Sequence, residues 1–136
     1  MKVVLDTNVF VSGVFFSGPP YKILEAWRSS KIRLVISAEI LDEYSRVGDA
    51  LAEQFPAVDL RPILELVNVN AEMVSPPAGP AARICDDPDD DKFFWCALAA
   101  RCKVIVSGDK HLLSKSGFGG VQVLKPRDFL KKYRHI

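Results

Sequence analysis

The 136-residue sequence predicts an α/β fold, with three α/β/α layers around a mostly parallel sheet of about four to five strands. Three observations carry that expectation. Short β-branched runs alternate with helical stretches almost throughout. The runs end abruptly in polar residues. One helical stretch, Phe93–Ala100, is apolar on all sides, as a helix buried against a sheet would be. The length suits one domain over residues 1–136, large enough to bury a real core. With 49% hydrophobic and 26% charged residues, global disorder is excluded. No apolar run approaches the roughly 18 residues of a membrane span. Lys2 and Asp6 bring charge too early for a secretory signal, so a soluble, cytoplasmic protein is expected.

The elements follow in order. Lys2–Leu5 is a strand that stops at Asp6-Thr7-Asn8. Val9–Phe16 is an apolar run closed by the loop Ser17-Gly18-Pro19-Pro20. Pro20 suits a first helical turn, and Ile23, Leu24 and Trp27 recur at helical spacing, predicting a helix over 20–30. Leu34–Ile36 is the second strand. Ser37 is a good N-cap for a helix over 38–47 whose apolar side holds Ile40, Leu41 and Tyr44. Asp59 can cap the next helix, in which Ile63, Leu66 and Val67 repeat. Val69–Val74 is a strand candidate, and Ser75–Pro80 is a proline-rich loop. The buried helix at Phe93–Ala100 leads into the strand Val104–Val106, which ends at Ser107-Gly108-Asp109. Val121–Leu124 is a further strand. Pro126 opens a closing helix with Phe129, Leu130 and Tyr133 inward.

Charge is unevenly distributed. Residues 1–100 carry 9 Lys and Arg against 15 Asp and Glu, whereas residues 101–136 carry 9 against 2. An acidic body beside a basic final third suits a metal in one place and an anionic polymer next to it. The three cysteines, Cys85, Cys96 and Cys102, fit neither a disulfide framework nor a zinc site. Cys96 and Cys102 read as packing residues.

The acids have a pattern. In open α/β sheets, ligands bind beyond the carboxyl ends of the strands. Asp6 follows the first strand, and Asp109 follows the strand at 104–106. Asp86, Asp87, Asp89, Asp90 and Asp91 crowd the start of the buried helix, and Glu39 and Glu43 are one helical turn apart after the second strand. Four segments can thus deliver carboxylates to one rim. Clustered carboxylates repel unless a cation joins them. Hard oxygen ligands without Cys or His select Mg²⁺ or Mn²⁺. Such an ion suits a phosphate-ester substrate.

The same residues resemble the PIN-domain nucleases. Val3-Val4-Leu5-Asp6-Thr7-Asn8-Val9-Phe10 is similar to the family's opening motif, and Ser37-Ala38-Glu39-Ile40-Leu41-Asp42-Glu43-Tyr44 to its second. The third is matched by Asp86-Asp87-Pro88-Asp89-Asp90-Asp91-Lys92-Phe93-Phe94 with Ala97-Leu98-Ala99, and the fourth by Ile105-Val106-Ser107-Gly108-Asp109-Lys110-His111-Leu112-Leu113. The motifs occur in the family's order, and the resemblance runs from residue 2 to about residue 130. It is nearest to bacterial and archaeal PIN proteins regarded as toxins of toxin–antitoxin pairs, the VapC-like group. The resemblance implies that Asp6, Glu43, Asp91 and Asp109 are the metal-binding catalytic acids, with Asp89 a helper. Within the dense aspartate run, the third acid is fixed only to within one or two residues. Asn8, Ser37 and Ser107 would orient ligands or water, with Thr7 beside them.

The function so implied is Mg²⁺- or Mn²⁺-dependent endoribonuclease activity, leaving a 5′-phosphate and a 3′-hydroxyl. Lys110, Lys115 and other basic residues of the final third would position the RNA backbone. A small antitoxin and a homodimer are the protein partners the resemblance implies. Phe15, Phe16 and Trp27 are candidates for self-association, although for Trp27 core packing is the better reading. Two other readings compete. One is a catalytically silent PIN fold serving as a binding or assembly module. The other is a phospho-acceptor receiver domain, which would carry an acidic pair after the first strand where this chain has Asp6 alone. A haloacid-dehalogenase-type phosphatase would need a second Asp where Asn8 stands.

Overall fold

The computed structural model describes residues 1–76, 84, 85 and 87–135. Five strands form one sheet: β1 (Lys2–Leu5), β2 (Arg33–Ser37), β3 (Glu72–Val74), β4 (Val104–Val106) and β5 (Gln122–Leu124). Their order across the sheet is β3-β2-β1-β4-β5, and all four pairings are parallel. The helices are α1 (Thr7–Phe15), α2 (Pro19–Arg28), α3 (Ala38–Gln54), α4 (Arg61–Asn70), α5 (Asp91–Ala99), α6 (Lys110–Leu113) and α7 (Pro126–Lys132). They complete the expected three-layer α/β/α arrangement. Val3–Leu5, Leu34–Ile36 and Val104–Val106 are buried throughout, as strands covered on both faces must be.

Several boundaries differ from the sequence reading. The apolar run 9–16 is the body of α1, whose first turn is capped by Asp6. Helix α3 runs on to Gln54, beyond the expected 47. Asp59 supplies no cap in the expected place. Leu60 holds the N-cap position of α4, while Asp59 accepts a bond from the Arg61 amide at 3.1 Å. Residues up to Asn70 stay helical, so β3 is only three residues long. Part of the expected loop 75–80, and Asp86, lie outside the described residues.

Two contacts tie the layers to the chain positions that matter below. Tyr44 is fully buried, stacks on Phe10 with ring centroids 4.1 Å apart, and donates its hydroxyl to the Leu5 carbonyl at 2.5 Å. This fixes α3 against the end of β1. At Gly13, a β-carbon would stand 2.7 Å from Leu24 Cδ1 and 2.8 Å from the Pro20 carbonyl oxygen, so glycine lets α1 lie directly on α2. Among the described residues, no helix is long and apolar enough to cross a membrane. Cys85, Cys96 and Cys102 are all buried free thiols, and burial pushes Cys85 and Cys96 up to about 12. Trp27 is core, whereas Phe16 is exposed beside Phe55.

Candidate active site

From β1, successive strands pass outward through β2 to β3, and the chain then returns to place β4 on the other side of β1. The switch point of this sheet is therefore the crevice beyond the ends of β1 and β4. Leu5 and Val106 are register partners, so the residues that follow them emerge side by side. Asp6 leaves β1 and caps α1, its Oδ1 accepting from the Val9 amide at 2.7 Å. Its Oδ2 accepts a short hydrogen bond from Ser107 Oγ. Ser107 is fully buried, and its oxygen also accepts from the Asp109 amide at 2.9 Å. Asp109 Oδ1 in turn accepts from the His111 amide at 2.7 Å. One serine thus ties the Asp6 carboxylate to the backbone of Asp109 across the ends of neighbouring strands.

The other wall comes from helices. A small cleft of about 90 Å³ is lined by Asp6, Thr7, Asn8, Glu43, Asp90 and Asp109, with Val47, Phe93 and Leu112 as its apolar floor. Glu43 reaches it from α3, one residue before the Tyr44 anchor. Glu43 Oε1 accepts a short hydrogen bond from Thr7 Oγ1. Glu43 Oε2 lies 2.7 Å from Lys92 Nζ. Asp90 enters from the turn Pro88–Asp90 that precedes α5.

Of the acids implied by the resemblance, Asp6, Glu43 and Asp109 therefore share this cleft. Asp91 does not line it. Asp91 is buried, with Oδ1 accepting from the Cys85 amide at 2.7 Å and Oδ2 from the Ile84 amide at 3.1 Å. It holds the preceding strand of chain against α5, and the neighbouring Asp90 faces the cleft in its place. Asp89 is exposed outside the lining, and its carbonyl accepts from Lys92 Nζ at 2.5 Å. Ser37 is buried as the N-cap of α3, accepting from the Ile40 amide at 3.3 Å, and does not reach the cleft. Asn8 stands exposed in the lining, and Lys110 is exposed on α6 next to Asp109. The sequence reading places Tyr44 only on the apolar side of its helix and gives Lys92 no role. Both are buried polar residues that fix Glu43.

Electrostatics separate the acids. Burial pushes the Asp6 carboxyl up to about 6. Its bonds from Ser107 and the Val9 amide oppose this, and the charges of Asp109 and Asp90 add to it. Asp90 also rises to about 6, from burial and then from the charges of Asp109 and Asp87, against the pull of Lys92 and His111. Burial alone would raise Glu43 too. The bonds from Lys92 and Thr7 and the Lys92 charge outweigh it, and Glu43 stays below its ordinary value.

Among the described residues, no group of three Asp, Glu, His or Cys side chains is arranged to hold a metal ion. The donor set still fits a hard divalent cation. It is all oxygen, and three of its carboxylates repel one another in a partly buried crevice, an arrangement a cation would relieve. The cleft is also open and shallow. It suits the backbone of a polymer better than an engulfed small molecule. A larger recess of about 500 Å³, lined by Lys103, Ser116, Gln122 and Tyr133 among others, has no acid in its lining.

The chain is 28% identical to an uncharacterized protein of Methanocaldococcus jannaschii, MJ1680, over 98% of this chain and 92% of that protein. A family model described as PIN domain matches residues 2–111, which includes every residue of the cleft except Leu112. By that match the chain belongs to the PIN domain family.

Proposed function

We propose that this protein is an endoribonuclease dependent on Mg²⁺ or Mn²⁺, and the toxin of a toxin–antitoxin pair. PIN domains are generally nucleases. The observation that carries the reading is the gathering of Asp6, Glu43, Asp90 and Asp109 at the switch point of the sheet. Asp6, Asp90 and Asp109 would hold the ion, with Asp90 taking the place that the PIN resemblance implies for Asp91. Bound there, a divalent ion supplies Lewis-acid charge for hydrolysis of a phosphodiester bond.

The chain's own residues do the rest. Ser107 holds Asp6 and the Asp109 turn in one orientation, so neither carboxylate must be ordered when substrate arrives. Tyr44 and Thr7 hold Glu43 at the edge of the cleft. Asn8, exposed in the lining, and Lys110, exposed one residue after Asp109, would offer donors to phosphate oxygens. Val47, Phe93 and Leu112 supply the apolar part of the lining. The basic final third of the chain supplies the electrostatic attraction that an acidic cleft needs to admit a polyanion. The antitoxin would be a small protein covering this acidic rim, and the toxin a homodimer in a cytoplasmic setting. Those three points rest on the VapC-like resemblance.

The test is cleavage of a mixed RNA pool by wild type and Asp6→Asn, each with Mg²⁺, Mn²⁺ or EDTA. Cutting that needs the metal, leaves a 5′-phosphate and 3′-hydroxyl, and disappears in the variant is the expected result. Folded, antitoxin-free protein that cuts under no condition would replace the nuclease reading with that of a binding module.

A further inference from the structure

Glu43 differs from the other acids of the cleft in having its own cation. Lys92 is buried, its side chain only 7% exposed. Its Nζ lies 2.7 Å from Glu43 Oε2, donates to the Asp89 carbonyl at 2.5 Å, and sits 5.0 Å from the centre of the Phe93 ring. An ammonium buried this way requires its partner, because removing one member of a buried pair leaves the other charge uncompensated. The second oxygen of Glu43 accepts from Thr7. Both carboxylate oxygens are therefore engaged, and the charge is already cancelled. Asp6 likewise has both oxygens hydrogen-bonded, by the Val9 amide and Ser107, but among the described residues none of the three aspartates has an ion pair. They face one another across the crevice.

We propose that Lys92 is a positioning residue that serves as the built-in counter-cation of Glu43, so that the cleft binds one divalent ion through Asp6, Asp90 and Asp109 while Glu43 stays outside its coordination shell. This deepens the metal-dependent reading above and rests on it. For Glu43 to become a ligand, an incoming cation would have to share its carboxylate with the buried ammonium of Lys92, two like charges in one crevice. The pair instead works as a neutral, hydrogen-bonded unit. It closes the helical wall of the cleft and stands where a second ion would otherwise be needed to offset Glu43.

Mn²⁺ binding to the full chain, followed by calorimetry and by electron paramagnetic resonance of the free ion, tests this without reference to activity. Wild type should bind one ion per chain. The double variant Glu43→Gln/Lys92→Met keeps the net charge and leaves no buried ion unpaired. Its dissociation constant should stay within about threefold of wild type, whereas Asp109→Asn should weaken binding by about tenfold or more. Lys92→Met alone releases the charge of Glu43 and should tighten binding by about tenfold, and Lys92→Arg should return it to the wild-type value. A merely structural role for Lys92 would not tighten binding. A double variant that loses Mn²⁺ as Asp109→Asn does, or a wild type that binds two ions, would overturn the proposal while leaving the metal reading intact. A folded wild type that binds no Mn²⁺ would overturn both.

Discussion

Asp6 and Asp109 stand on the ends of adjacent strands, held by backbone amides and by one shared serine. Glu43 and Asp90 reach the same cleft from helical segments, and Glu43 is held by a lysine and a threonine. The first wall is placed by sheet register. Any fold that pairs Leu5 with Val106 brings the following residues together. The second wall is placed by rotation about helix axes. One residue of a helix turns its side chain by about 100°, so neighbours in sequence serve different purposes. Asp90 lines the cleft, and Asp91 ties down the backbone at residues 84 and 85.

Substitutions sharpen that contrast. The largest effect is expected at the strand wall. Asp109→Asn should lower the metal-dependent cleavage rate by about 100-fold or more, with the melting temperature nearly kept, as read by single-turnover RNA cleavage and a thermal melt. On the helical wall, function and stability should separate between neighbours. Asp91→Ala strands two buried amides and should cost about 2–5 kcal/mol in chemical denaturation. Asp90→Asn removes a carboxylate whose value is raised in the fold, so it should leave stability undiminished while reducing cleavage. Similar losses of stability in both variants would break the distinction drawn here. Next comes the anchor of the helical wall. Tyr44→Phe leaves the buried Leu5 carbonyl without its hydroxyl donor and should cost about 1–3 kcal/mol by urea unfolding. Smallest is Gly13→Ala, away from both walls. Its methyl group meets Leu24 and the Pro20 carbonyl oxygen and should cost about 1–2 kcal/mol in the same assay, with the metal affinity unmoved.

The same contrast explains what the sequence made legible. Strands β1, β2 and β4 announce themselves as short apolar runs with polar stops, and the acids after β1 and β4 follow from those stops. Helix α1 was harder to see because Thr7, Val9, Phe10, Val11 and Gly13 are all buried, which erases the amphipathic period. Helix α6 is four residues long and has no room for a period. In the aspartate run, composition points to the right segment but cannot assign each side chain. That choice depends on where the amides of Ile84 and Cys85 lie. Lys92 was missed for a related reason. A lysine after five aspartates reads as surface charge, and its burial makes sense only once α3 brings Glu43 against it.

The pH dependence follows from Asp6 on the strand wall and, in the same direction, from Asp90 on the helical wall. Asp6 has a folded-state value of about 6 against an ordinary 3.8, so the folded state holds the extra proton more tightly. Without metal, its contribution to stability is fully present below pH 3.8 and is lost as pH rises through about 6. An asparagine carries no such charge, and a divalent ion bound by the folded state stabilises it by mass action.

One measurement therefore tests most directly whether the acids of the switch point form a cation site: thermal melts of wild type and Asp6→Asn at pH 7.5, each with EDTA and with Mg²⁺. The account predicts that in EDTA the variant melts above wild type, by an amount corresponding to about 1–3 kcal/mol. It predicts that Mg²⁺ raises the wild type and leaves the variant where it was. Wild type unmoved by Mg²⁺, or a variant raised equally, would contradict it.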